Sequence, residues 1–324
     1  MRHPARSIAL AGLLAAATAC STEETSTTGA PTSGGAAGKV ISVVTTTTQL
    51  TDFAKEVGGS RVKVYGVLKA NVDPHDYEPS PADIDALAKA DVIVKNGIDL
   101  EGWFDDTIKA AAPKGQIVDA SLGITIRKGE EEEDEGEEPT AGEEEHEEGD
   151  PHIWHNPENV AVMVTSMAAA MEKANPGAAA DIQKNLASYK DKLTKLDTDI
   201  KNQVSGLTNK KLVTNHDAFG YYIDHYDLEF VGSIIPSFDT SAELSATQIA
   251  EIVATIKSTG TKAVFSESSL PPKTAEAIGK EAGVKVVAGE DALYGDTLGP
   301  PGSDGDTYIK MLEHNTKVIV GNLS

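Results

Sequence analysis

The chain has 324 residues, 40% of them hydrophobic and 5% aromatic, which is enough for two domains of ordinary size. Its 51 Asp and Glu against 28 Lys and Arg give a formal net charge of -23, which argues against a nucleic-acid partner, because phosphate rewards basic patches. Cys20 is the only cysteine, so the chain forms no internal disulfide and has no later thiol for catalysis.

The N-terminus reads as an export signal. Arg2 and Arg6 precede a short apolar run at residues 8–17, too short for an ordinary transmembrane helix. Thr18-Ala19-Cys20 follows, and small residues ending in a cysteine resemble a bacterial lipobox. Residues 1–20 are therefore expected to be a lipoprotein signal peptide, with Cys20 the lipidated residue. The alternative is an ordinary secretory signal that happens to end near a cysteine. Residues 21–38 are rich in Ser, Thr, Gly and Ala and bury too little to fold, so they read as a flexible tether. The expected location is outside the cytoplasm, lipid-anchored at the outer face of the cytoplasmic membrane or in the periplasm.

Strands and helices then alternate. Residues 40–44 form a β-branched strand, residues 50–57 a helix and residues 62–67 the next strand. A helix starts at Ser80-Pro81-Ala82-Asp83, with Ser as N-cap, Pro at the first position and Asp in the first turn. Residues 91–94 and 116–118 read as strands. Residues 129–149 form an acidic loop; between 130 and 150 there are 14 acidic residues and no Lys or Arg. It is either a self-repelling surface insertion or a weak cation collector to which His146 contributes. Residues 156–174 are helical.

From 178 to about 204 one long amphipathic helix carries Ile182, Leu186, Tyr189, Leu193, Leu196 and Ile200 at three- and four-residue steps. Strands follow at 211–214, 228–231, 263–265 and 284–287, with helices at 247–258, 273–281 and from 307 to about 317. The fold class expected is α/β, with two β/α lobes joined by one long helix. The expected boundaries are 39–175 for the first lobe, 176–206 for the linking helix and 207–324 for the second lobe.

Histidines sit beside acidic residues in three places, twice directly after Asp-Pro: Asp73-Pro74-His75-Asp76, Asp150-Pro151-His152-Ile153-Trp154-His155 and Asn215-His216-Asp217. A fourth candidate, Asp296, lies in Leu293-Tyr294-Gly295-Asp296-Thr297-Leu298-Gly299. Three imidazoles and one carboxylate can make a closed site for a divalent transition metal, zinc above all. His75, His216 and Asp296 follow strands, and His152 follows the acidic loop, so two lobes could present them at one cleft. His155 is either a spare ligand or a packed residue beside Trp154. Glu267, also after a strand, either orients a ligating histidine or caps the next helix. Trp103 and Phe104 read as core. HExxH, CxxC, GxxxxGK[ST], GxGxxG and GxSxG are all missing from the sequence, so nucleotide binding and serine hydrolysis find no motif.

As a set and in this order, the segments around Asp73–Pro81, Asp150–Trp154, His216–Tyr221, Leu293–Leu298, Thr307-Tyr308 and His314-Asn315 resemble the zinc/manganese solute-binding proteins of bacterial ABC importers. The resemblance covers nearly all of the chain after the tether. It implies two four-stranded β/α lobes, a rigid linking helix and one metal between the lobes, held by His75, His152, His216 and Asp296. It implies no enzymatic activity. The partners it implies are a membrane permease and its separate ATPase, with the protein itself a monomer. In such proteins manganese binders often have glutamate where His216 stands, so the resemblance favours Zn²⁺, with Mn²⁺ (or iron) the alternative. The acidic loop stands where zinc members have a His-rich one, but it has one histidine, and His155 stands where an apolar residue is usual. A zinc metallohydrolase with Glu267 as base, and a metal-stabilised adhesin, are the competing functions.

Overall fold

Four parallel strands near the N-terminus carry the first half of the molecule. The computed structural model describes residues 39–128, 149–242 and 244–324. Cys20, the tether and nearly all of the acidic loop with His146 lie outside the described residues.

Strands β1 (Ile41–Thr45), β2 (Val62–Gly66), β3 (Val92–Lys95) and β4 (Gln116–Asp119) form one parallel sheet in the order β2-β1-β3-β4. Between them run α1 (Thr48–Gly58), α2 (Pro81–Lys89) and α3 (Phe104–Ala111). The Ser80 signal works as its chemistry requires: the Ser80 hydroxyl and the Asp83 carboxylate cap each other's backbone, and Pro81 fills a position that needs no N–H. Helix α3 has no cap signal and forms because Phe104, Thr107 and Ala111 turn one face into the protein. Phe104 is core as expected, whereas Trp103 is half-buried and donates its indole N–H to Pro74 O (3.1 Å), bracing the loop that carries His75.

After α4 (Pro157–Ala174) and a single 3₁₀ turn at Pro176–Ala178, α5 (Ala179–Ser205) runs for 27 residues, roughly 40 Å. Its buried stripe is Ile182, Leu186, Tyr189, Leu193, Leu196, Ile200 and Val204, which packs against α1, α4 and the last helix, α9 (Tyr308–Leu323). One continuous apolar core follows this helix from the first sheet to Leu212, Ala263 and Phe265 of the second lobe. Each lobe keeps a second, smaller core of its own, around Ile93 in the first and Val264 in the second.

The second lobe holds β5 (Lys211–His216), α6 (Gly220–His225), β6 (Glu229–Ile235), α7 (Ala246–Thr259), β7 (Ala263–Phe265), α8 (Lys273–Ala282) and β8 (Lys285–Val287). Here the strands pair as β5-β6 and β7-β8, both parallel, with β5 packed beside β7. The single four-stranded ladder implied by the resemblance is thus interrupted in this lobe. At the site end, His216 N–H is spent on the Glu267 side chain (3.0 Å) instead of a carbonyl of the neighbouring strand. Among the described residues, no helix is long and apolar enough to cross a membrane.

Candidate metal centre

Two of the four candidate loops share one local device. In Asp73-Pro74-His75 the Asp73 carboxylate accepts the His75 N–H (2.9 Å), and in Asp150-Pro151-His152 Asp150 accepts the His152 N–H (3.0 Å). An aspartate two residues before the N–H it binds makes an Asx turn, with proline fixing the intervening backbone. The turn throws the histidine inward just beyond a strand or before a helix. His216 is the last residue of β5, and Asp296 lies between β8 and α9.

The structure brings His75, His152, His216 and Asp296 together, with one donor atom of each within 4.8 Å of all the others. His152 Nε2, His216 Nε2 and Asp296 Oδ1 form a triangle with all three sides 3.3 Å. A tetrahedral ion with bonds of about 2.0–2.1 Å needs neighbouring ligand atoms about 3.3 Å apart. His75 Nε2 is 4.0 Å from Asp296 Oδ2 and would close the fourth corner with a small shift. His75 Nε2 and Asp296 Oδ2 are buried with no hydrogen-bond partner, and Asp296 Oδ1 faces only the two ring nitrogens 3.3 Å away. Unpaired buried acceptors are costly, and a cation at the shared point would satisfy them together.

The far side of two rings is already fixed. His152 Nδ1 faces Asp150 Oδ1 (2.8 Å) and His216 Nδ1 faces Glu267 (2.9 Å to Oε2). In the neutral rings, Nδ1 then carries the proton and both Nε2 lone pairs converge on the same point. Glu267 therefore meets a histidine; it does not cap the next helix, α8, whose N-cap is Pro272. Asp150 has the same relation to His152 and was not singled out in the sequence, although the repeated Asp-Pro-His pattern contained the signal. Gln49 was also missed. It is buried in α1 and its Nε2 donates to Asp296 O (2.9 Å), while Trp154 Nε1 donates to Gly295 O (3.0 Å), which pins the carboxylate's loop. Replacing Glu267 by Gln should weaken zinc binding by roughly 10- to 100-fold, the usual cost of losing an orienting carboxylate. Unchanged affinity by chelator competition would mean that the Glu267 contact is incidental.

The charges around the four side chains are strongly coupled. Burial pushes the His152 imidazole down, but Asp150 and Asp296 outweigh it and hold it up at about 9. Burial is likewise outweighed at His216, where Asp296 and Glu267 hold the ring well above its usual value. Burial would raise Asp296, yet His216 and His152 keep its carboxyl well below the usual range. His75 is lowered, by burial first and by the two neighbouring rings. Protons on His152 and His216 thus stand in for a metal against Asp296.

His155 stands outside the four. Its ring lies 4.5 Å from that of Phe219, both of its nitrogens lack a partner, and burial, reinforced by His152, drives it down to about 3. The structure seats it as a packed residue. A second grouping, Glu158, Asp197 and His225, is already satisfied: Lys201 Nζ sits 2.8 Å from Asp197 and His225 Nε2 sits 2.7 Å from its other oxygen.

A family profile described as "Zinc-uptake complex component A periplasmic" matches residues 43–322. The chain is 30% identical over 289 residues to the manganese-binding lipoprotein MntA of Bacillus subtilis, covering 84% of this chain and 86% of that one. It is 28% identical over 283 residues to the manganese ABC transporter substrate-binding lipoprotein PsaA of Streptococcus pneumoniae, covering 85% of this chain and 86% of that one. Among solved structures, the periplasmic zinc-binding protein TroA of Treponema pallidum superposes with a TM-score of 0.77 at 29% identity, covering 89% of this chain and all of that one. With its two lobes, its long helix and a profile match across almost the whole described chain, this protein belongs to the family of metal-binding substrate-binding proteins of ABC importers, which are binding proteins and not enzymes.

Proposed function

We propose that this protein captures Zn²⁺ outside the cytoplasm and passes it to a membrane permease driven by a separate ATPase subunit. His75, His152, His216 and Asp296 would hold the ion, with Cys20 as the lipid anchor and the protein acting as a monomer. The observation that carries the reading is the donor set. Three imidazole nitrogens and one carboxylate oxygen converge from both lobes, with three of them at the edge length of a zinc tetrahedron. Imidazole is the softer donor and suits zinc, whereas manganese prefers oxygen. Zn²⁺ is cargo here, and four protein ligands leave no position for a catalytic water.

One observation favours a second metal. Asp296 Oδ2 has no hydrogen-bond partner and Oδ1 faces only the candidate ligand rings, so the carboxylate could bind through both oxygens and raise the coordination number to five, which manganese accepts more readily than zinc. Two relatives are named for manganese. The hydrolase alternative loses its base: Glu267 is spent on Nδ1, the side of the ring away from the cluster. The large apolar side chains exposed among the described residues are Val40, Ile117 and Leu122, which offer no aromatic adhesive patch.

Competition titration of the metal-free protein against a chelator, with Zn²⁺ and Mn²⁺ in parallel, tests the choice. Tight one-to-one zinc binding with manganese far weaker is expected; equal affinities would move the cargo to manganese.

Zinc must displace the proton on His152, so apparent affinity rises with pH and binding releases protons. Because the His152 pKa is held at about 9, the rise should continue through the neutral range to about pH 9, not level off just above pH 6. The slope should be about tenfold per pH unit for each imidazole still protonated. Calorimetry in buffers of different ionisation enthalpy reads the protons directly, and zero release at pH 7 would contradict the charge pattern.

A further inference from the structure

The four candidate ligands are sealed. The side chains of His152, His216 and Asp296 have no exposed surface, and that of His75 is 5% exposed. An ion cannot reach them unless part of the protein moves. One surface segment that lies on the cluster is the loop leaving β6, residues 236–240, with Pro236 and Asp239 exposed. Phe238 sets its ring 6.3 Å from that of His152. Thr240 donates its hydroxyl to Asp73 Oδ2 (2.6 Å), and the other oxygen of the same carboxylate accepts the His75 N–H (2.9 Å). One aspartate therefore ties the loop of the second lobe to the backbone of a ligand in the first.

The loop is built to move as a piece. Asp239 N–H donates to Ser237 Oγ (3.0 Å) and Ser241 N–H to Asp239 Oδ1 (2.8 Å), closing two tight local turns. Behind it, a half-open cavity of about 740 Å³ separates β6 and the loop from α7, lined by Ser237, Phe238, Gln248, Glu251 and Ile252. Phe238 thus covers His152 on one side and faces unfilled space on the other.

We propose that residues 237–240 are the gate through which the ion enters and leaves, swinging toward α7, and that the Thr240–Asp73 hydrogen bond is its latch. This rests on the four-residue site proposed above. The latch touches no ion, so breaking it changes rates of exchange and not the closed site's affinity.

The test is stopped-flow zinc exchange against a fluorescent chelator, using Thr240→Val, which keeps the side chain's shape, and Thr240→Ser, which keeps its hydroxyl. Thr240→Val should speed association and release together, each by roughly tenfold, the weight of one hydrogen bond to a carboxylate, with Kd held within about twofold. Thr240→Ser should return both rates to those of the unaltered protein. Unchanged rates in Thr240→Val would overturn the latch, as would faster release alone with an equal loss of affinity. If the unaltered protein binds no single zinc ion that depends on His216, the site reading fails first and the gate with it.

Discussion

Replacing His216 by alanine should weaken zinc binding by roughly a thousandfold while leaving the fold intact. A structural zinc site with four ligands is worth about 10–16 kcal/mol, so one ligand accounts for a few kcal/mol. Two further effects add to the loss. His216 supplies one corner of the 3.3 Å triangle, and its removal leaves the buried Glu267 carboxylate without the ring proton it faces. The backbone bond from residue 216 to Glu267 remains, so β5 should keep its place. Chelator competition reads the affinity and a thermal melt of the metal-free variant reads the fold. Binding within about tenfold of normal, in a folded variant, would remove His216 from the site.

The second large effect is expected where no ligand is touched. A Cβ added at Gly295 would lie 2.1 Å from Glu267 Oε2 and 3.6 Å from His216 Cε1. The first distance is far inside contact. Neither side can give without cost, since Glu267 is buried and held by His216, and Gly295 O is fixed by the Trp154 indole. Gly295→Ala should therefore push Glu267 off His216 and displace Asp296, the next residue. A loss of zinc affinity of at least about 100-fold follows, since both an orienting carboxylate and a ligand move. Gly302→Ala serves as contrast: its Cβ meets nothing within 4 Å, although its φ of +89° costs stability. Normal zinc affinity in Gly295→Ala would show that the Glu267–His216 contact is not what sets the site.

Much of this was legible before any coordinates. The long helix was written in the spacing of Ile182 to Ile200, and the buried stripe of α5 follows it residue by residue. The Ser80-Pro81-Asp83 signal named a helix start through local chemistry, which needs no tertiary knowledge. Helices α3 and α6 were not legible because eight- and six-residue helices gain too little from propensity and exist through what they pack against. The proximity of the four could be expected because His75, His216 and Asp296 follow strands and His152 the acidic loop, but contact between residues 221 positions apart is a property of the closed fold. Gln49 escaped notice for the same reason, whereas Asp150, two residues from His152, was legible in the Asp-Pro-His pattern. A buried amide that donates to a carbonyl 247 residues away leaves no local pattern in a sequence. The missing ladder between β5 and β7 was hidden too, because how two strands some 45 residues apart are placed is set by tertiary packing and leaves no local pattern.

The most direct test of the account is a crystal of the protein grown with one equivalent of Zn²⁺, with diffraction recorded above and below the zinc absorption edge. The expected result is one anomalous peak about 2.0–2.1 Å from the Nε2 atoms of His75, His152 and His216 and from an oxygen of Asp296. A peak at Glu158, Asp197 and His225 instead, or an empty point among the four with zinc bound elsewhere, would contradict it.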